Sequence, residues 1–542
     1  VLEALAAIFY QLEVQRVRRS FLPEALATQE DLGTPHAFEL EYLIKLSAEV
    51  LPLDAPQREA RVLVRKALGE SPQVMWTNSA DFPGLSEGLS ADDPVGERER
   101  DFLLPQQVLG YSSGENEILS LPFFKLRFVQ FDEYWNSLEA QLQYPGRPET
   151  RLSYLDSGFS QAILLCNLLF QDEKTLQPFR EDVGIEALKE FRIVIRRSIT
   201  VSDEVANMFE ENNPAVRLDE QSGLARVNLM HWLESTDHTT QSERSSYVNF
   251  ANFDPIVTRL KRCATLSYRD DDADTLVLDY WVNTATQEAF KANFKDALEL
   301  FQSFQVLLTL NLYVASDALK VDLYRSSSHY VSETVPTLAS DQRIMRFKFV
   351  RFTKQGVTEP MMLKELSDGE HQLLHSLGLC LLFRYTNSLF LLDEPETHFN
   401  PDWRANFISR LRECLPGGSD VGQEMLITTH TPFLVSDSRP EKVLVFSKDR
   451  ATGAVSVHHP DYNTLGASIN KITMNTFGKR DTIGAYAREI LDKLRARFTE
   501  GNEDPSALIE EINRELGDSV EKVLVIKALL DKAGDRQLKG QD

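Results

Sequence analysis

Residues 387–401 read NSLFLLDEPETHFNP, and this stretch limits the fold more than any other in the chain. Four apolar residues in a row, Leu389 to Leu392, make a buried strand, and Pro395 stops it. Two carboxylates, Asp393 and Glu394, stand at its end. Charged pairs at the end of a buried strand cost free energy unless they serve a cation or a reaction. Asp393 is placed to hold a magnesium ion through water, and Glu394 to polarise an attacking water. That division of roles suits phosphoryl transfer, where positioning and charge neutralisation do most of the catalysis. For these residues alone, an ordinary acidic strand-end turn is the alternative.

The surrounding region 341–447 alternates strand and helix, the pattern of an α/β sheet with parallel connections. Upstream, LKELSDGEHQLL (363–374) carries Ser367-x-x-Glu370 before an apolar run, a capping box that starts a helix. Its exposed N–H groups, Gly369 and the Ser hydroxyl also suit a phosphate, although capping by itself explains them. Downstream, MLITTHTPFLVSD (425–437) is an apolar strand ending at His430, and KVLVFS (442–447) reads as a further strand of the same sheet. His371 and His375 stand one helical turn apart, but not as H-E-x-x-H, and the helix already explains their spacing.

In this order, LSDGE, LLDEPETHFNP and ITTHTP resemble the ABC-type ATPases of the SMC and RecF-like branch over roughly residues 360–450. The resemblance implies an α/β fold, an ABC-type P-loop ATPase head with a parallel sheet core and an antiparallel subdomain. Leu366, Ser367, Asp368, Gly369 and Glu370 match the signature motif that contacts nucleotide. Asp393 and Glu394 match the Walker B pair, as metal ligand and catalytic carboxylate. Asn400 falls where the D-loop has its polar residue, and His430 matches the switch histidine that contacts the γ-phosphate. Asp368 departs from the pattern, which more usually has Gly there. The resemblance also implies ATP and Mg2+ as ligands, and hydrolysis to ADP and phosphate. It implies a homodimer in which the signature of one protomer closes over nucleotide held by the other, with higher assembly left open.

Such ATPases need a G-x-x-x-x-G-K-[ST] loop to cradle phosphates, and none occurs in the 542 residues. The chain opens VLEALAAIFYQLE without a capping residue, and Leu2, Leu5, Ile8, Phe9 and Leu12 recur at the spacing of an amphipathic helix. In the resembling family the phosphate loop runs straight into a helix of this kind. The expectation is therefore a loop standing just before Val1.

Four segments are expected: an N-terminal lobe of the head (1–125), a mostly helical globular insertion (126–340), a C-terminal lobe (341–460) and a helical appendage (461–542). In the first lobe, AFELEYLIKL (37–46) and ARVLVRKAL (60–68) read as half-buried antiparallel strands. FLLPQQVLGYSSGENE (102–117) reads as a buried strand entering a polar loop, whose YSSG could stand in for the Q-loop. The last segment carries opposite charges at i, i+4, as a solvent-facing helical region does.

A net charge of −24 argues against a protein that coats nucleic acid over a wide surface, so any such contact is local. Basic patches at 14–20, 191–198, 259–263 and 343–354 are the places for it. Four scattered cysteines without a C-x-x-C suit a reducing cytoplasm, and no apolar run approaches the ~18 residues of a membrane span. VLGYSSGENEILSLPF and TLGASINKITMNTFGKRDTIGAYAREI are similar to the PtuA subunits of Septu and retron-associated antiphage defence systems. That likeness implies a regulatory ATPase controlling a partner HNH nuclease of the PtuB kind. In retron versions a reverse transcriptase with its RNA–DNA product joins it. No nuclease centre is legible in the chain itself. A RecF- or SMC-like repair ATPase that clamps DNA directly, and a low-turnover nucleotide-locked scaffold, are the other readings.

Overall fold

The structure is a computed structural model. It describes residues 1–16, 34–47, 49–51, 55, 57–114, 116–139, 151–201, 215–218, 223–234, 255–326, 338–415, 422–479, 483–500 and 504–539. Most of the basic patch at 14–20 lies outside the described residues. The chain forms two compact units, Val1–Thr429 and His430–Asp542.

The heart of the first unit is a parallel sheet. Strands β4 (Gln107–Ser112), β5 (Leu152–Tyr154), β14 (Ser388–Asp393) and β15 (Gln423–Thr428) lie in the order β15-β14-β4-β5, each pair parallel. Phe390, Leu391 and Leu392 are buried, as expected for a central strand covered on both faces. An antiparallel sheet of β1 (Phe38–Lys45), β2 (Glu59–Lys66) and β3 (Gln73–Trp76) stands near the chain start, with the expected pairing of β1 and β2.

The opening helix, Leu2–Arg16, departs from expectation. It is not amphipathic: every residue from Ile8 to Val14 is buried. Its polar side is satisfied inside the fold. Lys66 Nζ donates to Gln11 Oε1 at 2.9 Å, and the Arg151 backbone N–H donates to Glu13 Oε1 at 3.0 Å. Buried polar groups with such partners cost little, so a helix of mixed sequence can serve as core.

Residues 126–340 are not a free-standing helical insertion. The boundary at 125/126 falls inside the helix Glu117–Glu139, and β5 belongs to the parallel sheet. Strands β6 (Ile185–Arg196), β10 (Leu266–Asp270) and β11 (Thr275–Trp281) join β12 (Met345–Lys354) and β13 (Met361–Met362) in one antiparallel sheet, ordered β10-β11-β6-β12-β13. β6, paired on one side with β11, finds its other partner, β12, across the expected boundary at 340/341. A smaller sheet has the order β7-β9-β8, from β7 (Ser198–Val201), β8 (Val216–Leu218) and β9 (Ala225–Asn228). Among the described residues one stretch, Ala297–Val314, is long and apolar enough to cross a membrane, which the run-length reading missed. Here it serves as core, with Phe301, Phe304 and Leu307 fully buried.

In the second unit, β16 (Val445–Lys448) pairs antiparallel with β17 (Val455–His458) as a two-stranded sheet. KVLVFS is therefore half of a local hairpin, not a further strand of the parallel sheet. The later helices Ala485–Glu500, Pro505–Glu515 and Val520–Lys539 enclose a small core of Leu494, Leu508, Ile512 and Leu529. The i, i+4 pair Glu489–Lys493 forms at 2.7 Å.

Candidate functional site

Three parallel strands end at one level. Ser112, Asp393 and Thr428 are paired across β4, β14 and β15, so their side chains meet at the carboxyl edge of the sheet. Ligands of open α/β sheets bind at that edge. Thr428 Oγ1 donates to Asp393 Oδ1 at 2.6 Å. Ser112 Oγ and Asn116 Nδ2 donate to Asp393 Oδ2 at 3.1 and 2.9 Å. Asn116 Nδ2 also stands 3.4 Å from Oε1 of Glu3, so the first turn of the opening helix lies beside this carboxylate. One carboxylate and two hydroxyls are hard oxygen donors of the kind magnesium takes alongside its own waters, and the Asn116 amide orients the carboxylate. Among the described residues no group of three His, Cys, Asp or Glu gathers as a metal centre.

Glu394 follows in the left-handed region, with φ +47°. For a non-glycine residue this costs on the order of 1–3 kcal/mol and tends to persist at functional sites. The backbone is pinned there because Glu394 N–H donates to both the carbonyl and the Oγ1 of Thr428, at 3.2 and 3.1 Å. Thr397 Oγ1 donates back to the Glu394 carbonyl at 2.9 Å. Thr428 thus holds both carboxylate residues of the pair.

The helix Asp368–Leu382 begins with the expected capping box: Ser367 N–H donates to Glu370 Oε2 at 2.9 Å and Glu370 N–H to Ser367 Oγ at 3.4 Å. Burial raises the Glu370 pKa, but hydrogen bonds from Lys354 and Ser367 outweigh this and hold it below the usual range. Ser367 and Asp368 are exposed at the helix start, Leu366 is half-buried and Gly369 is buried. Gly369 has a local reason to be Gly: a Cβ there would stand 2.6 Å from the His398 carbonyl oxygen. Gln372 Oε1 accepts the His398 N–H at 2.9 Å, tying this helix to the turn after Glu394. Asn400 caps the helix Pro401–Cys414, accepting the Trp403 N–H at 2.8 Å. His430 is the first residue of the second unit, two positions beyond β15.

Ser112, Asn116 and Thr428 were not singled out by sequence reasoning; only the position of YSSG at the end of an apolar strand pointed their way. Glu396 was missed as well. It is 3 % exposed, accepts a hydrogen bond from Thr429 Oγ1 through one oxygen, and leaves the other without a partner. Burial, with the nearby Glu394 charge adding to it, raises its pKa. His375 is a core residue: its Nδ1 meets Ser160 Oγ and its Nε2 the Leu155 carbonyl, both at 2.8 Å, and it stacks on Tyr111. Burial pushes its pKa down to about 4. A cavity of about 790 Å³ opens beside these groups, lined by Asn116, Arg127, Arg343, Asp368, His371 and His398 among others.

Residues 224–436 match the family model described as "AAA domain, putative AbiEii toxin, Type IV TA system". That match supports a P-loop ATPase domain over this part of the chain. The match begins inside the segment expected as an insertion and runs through LSDGE, Asp393, Glu394 and His430. A stretch of 99 residues is 28% identical to the protein ea59 of Escherichia phage lambda. That stretch is 18% of this chain and 18% of the curated relative, so the likeness is confined to part of each.

Proposed function

We propose that this chain is an ABC-type ATPase of the SMC and RecF-like branch, acting as the regulatory subunit of an antiphage defence complex. In this reading two protomers sandwich ATP, and the nucleotide cycle controls a partner HNH nuclease of the PtuB kind, within a retron or outside one. The observation that carries the ATPase part is the carboxylate of Asp393 held by donors from three converging strand ends, with Glu394 next to it in a strained backbone conformation. Magnesium, when bound, supplies charge neutralisation at the phosphates. The chain's own share is orientation. Ser112, Asn116 and Thr428 fix the Asp393 oxygens, and Thr428 fixes the backbone that presents Glu394, whose carboxylate takes a proton from the attacking water. The exposed Ser367 and Asp368 at a helix N-terminus suit closure over nucleotide held by a second copy. The defence role is supported by the motif likeness to PtuA and by a family description drawn from toxin–antitoxin systems.

The test is Glu394→Gln in the full-length protein. It is expected to bind ATP, hydrolyse it at least ~100-fold more slowly and accumulate as a dimer on size-exclusion chromatography. Hydrolysis at the parental rate would overturn the catalytic assignment. Affinity purification from the native locus is expected to recover an HNH protein, and recovery of DNA alone would favour the repair clamp.

A further inference from the structure

Two of the basic patches noted in the sequence, 191–198 and 343–354, become neighbouring strands. β6 and β12 pair antiparallel along nearly their whole length. One face of their five-stranded sheet is core: Phe191, Ile193, Ile195, Leu278 and Tyr280 are fully buried there. The helix Ala297–Thr309 packs on that side, with Phe304 edge-on to Phe347 at 5.2 Å. The opposite face combines aromatic rings and guanidinium groups. Register places Tyr268, Trp281, Phe349, Arg192, Arg346 and Arg351 on it together.

Trp281 is 68% exposed and Tyr268 40%. Large rings left in water on a sheet face lose burial energy unless something stacks on them. Phe349 is flanked by two cations, the Arg192 and Arg351 guanidinium carbons lying 5.5 and 4.7 Å from its centroid. Those two arginines are neutralised by Asp279 (2.8 Å from Arg192 Nη2) and Glu190 (2.6 Å from Arg351 Nη1). Arg346 is different. Its side chain donates to the neutral Ser340 hydroxyl at 2.6 Å, and no carboxylate among the described residues pairs with it. Lys348, at the bulge between Phe347 and Phe349, is exposed.

We propose that this outer face binds single-stranded nucleic acid, with Trp281 and Tyr268 stacking on bases and Arg346 and Lys348 meeting backbone phosphates. The site lies outside the strand-end site described above, and its occupancy does not depend on that site's chemistry. In a chain of net charge −24, Arg346 and Lys348, which no carboxylate among the described residues pairs, give this face a local attraction for a polyanion. Exposed rings among those charges select one whose bases are free, which a duplex hides.

Binding of fluorescently labelled oligothymidine, oligouridine and a duplex of equal length, measured by anisotropy without nucleotide, tests this. The single strands are expected to bind at about 50 mM salt and to weaken steeply toward about 200 mM. Trp281→Ala should weaken binding about tenfold, while Trp281→Phe retains it. Arg346→Glu should weaken binding and flatten the salt dependence. Preference for oligothymidine or oligouridine identifies the strand as DNA or RNA, and either supports the proposal. Absence of single-strand binding at about 50 mM salt, equal affinity for the duplex, or indifference to both Trp281→Ala and Arg346→Glu overturns it.

Discussion

Asn116 Nδ2 stands 2.9 Å from Asp393 Oδ2 and hydrogen-bonds it from a loop on the neighbouring strand β4. The same amide reaches Glu3, so one side chain links the first turn of the chain to the central carboxylate. Hydrogen bonds to a charged group are worth about 1.5–3 kcal/mol, and this one sets where the carboxylate points. Asn116→Ala is expected to lower the ATP turnover of the full-length protein by about tenfold or more, while thermal unfolding shifts little. An unchanged turnover would remove Asn116 from the site.

Thr428→Val deletes a donor to Asp393 and one of the two acceptors for the Glu394 N–H with almost no change of volume. The expected result is a larger loss of turnover than for Asn116→Ala, because both carboxylate residues lose support. Thr428→Ser keeps the hydroxyl and should recover most of it. Steady-state phosphate release across the three variants checks the ranking.

Gly369→Ala places a methyl group 2.6 Å from the His398 carbonyl, a fixed backbone atom. Overpacking of this kind costs typically about 1–3 kcal/mol. Denaturant unfolding should show that loss. A variant as stable as the parent would mean that the turn after Glu394 is free to move away from the helix.

Asp368 puts a negative charge at the start of a helix where a nucleotide phosphate is expected to approach. Asp368→Gly should strengthen ATP-dependent dimer formation. It should also remove about 0.3–1 kcal/mol of helix stabilisation from the macrodipole. Sedimentation with and without ATP separates the two effects.

His375 is buried and neutral, with its pKa pushed from 6.5 down to about 4. Because the folded-state value lies below the unfolded one, its contribution is complete above about pH 6.5 and fades as the pH falls toward 4. Over that window the loss amounts to about 3 kcal/mol. Urea midpoints measured between pH 7 and pH 4 should fall, and His375→Gln should flatten the fall.

What the chain declares locally is legible from its letters. The capping box of Ser367 and Glu370 closes within four residues, and the apolar run ending at Asp393 and Glu394 marks a buried strand with a carboxylate pair at its tip. These features depend on short-range hydrogen bonding and on burial of consecutive side chains, which a linear sequence records. The order of LSDGE, the acidic strand end and His430 added the nucleotide-binding reading. The partners of Asp393 were not legible. Ser112 and Thr428 come from different strands, and polar residues at strand ends leave no periodic trace until the register is set. The burial of the opening helix was hidden for a similar reason, since Gln11 and Glu13 look solvent-facing until Lys66 and Arg151 meet them. Pairing of β6 with β12, and of β16 with β17 instead of the parallel sheet, was likewise a tertiary decision. Backbone hydrogen bonds between strands carry no side-chain code, so which strand completes which sheet is settled only when the chain packs.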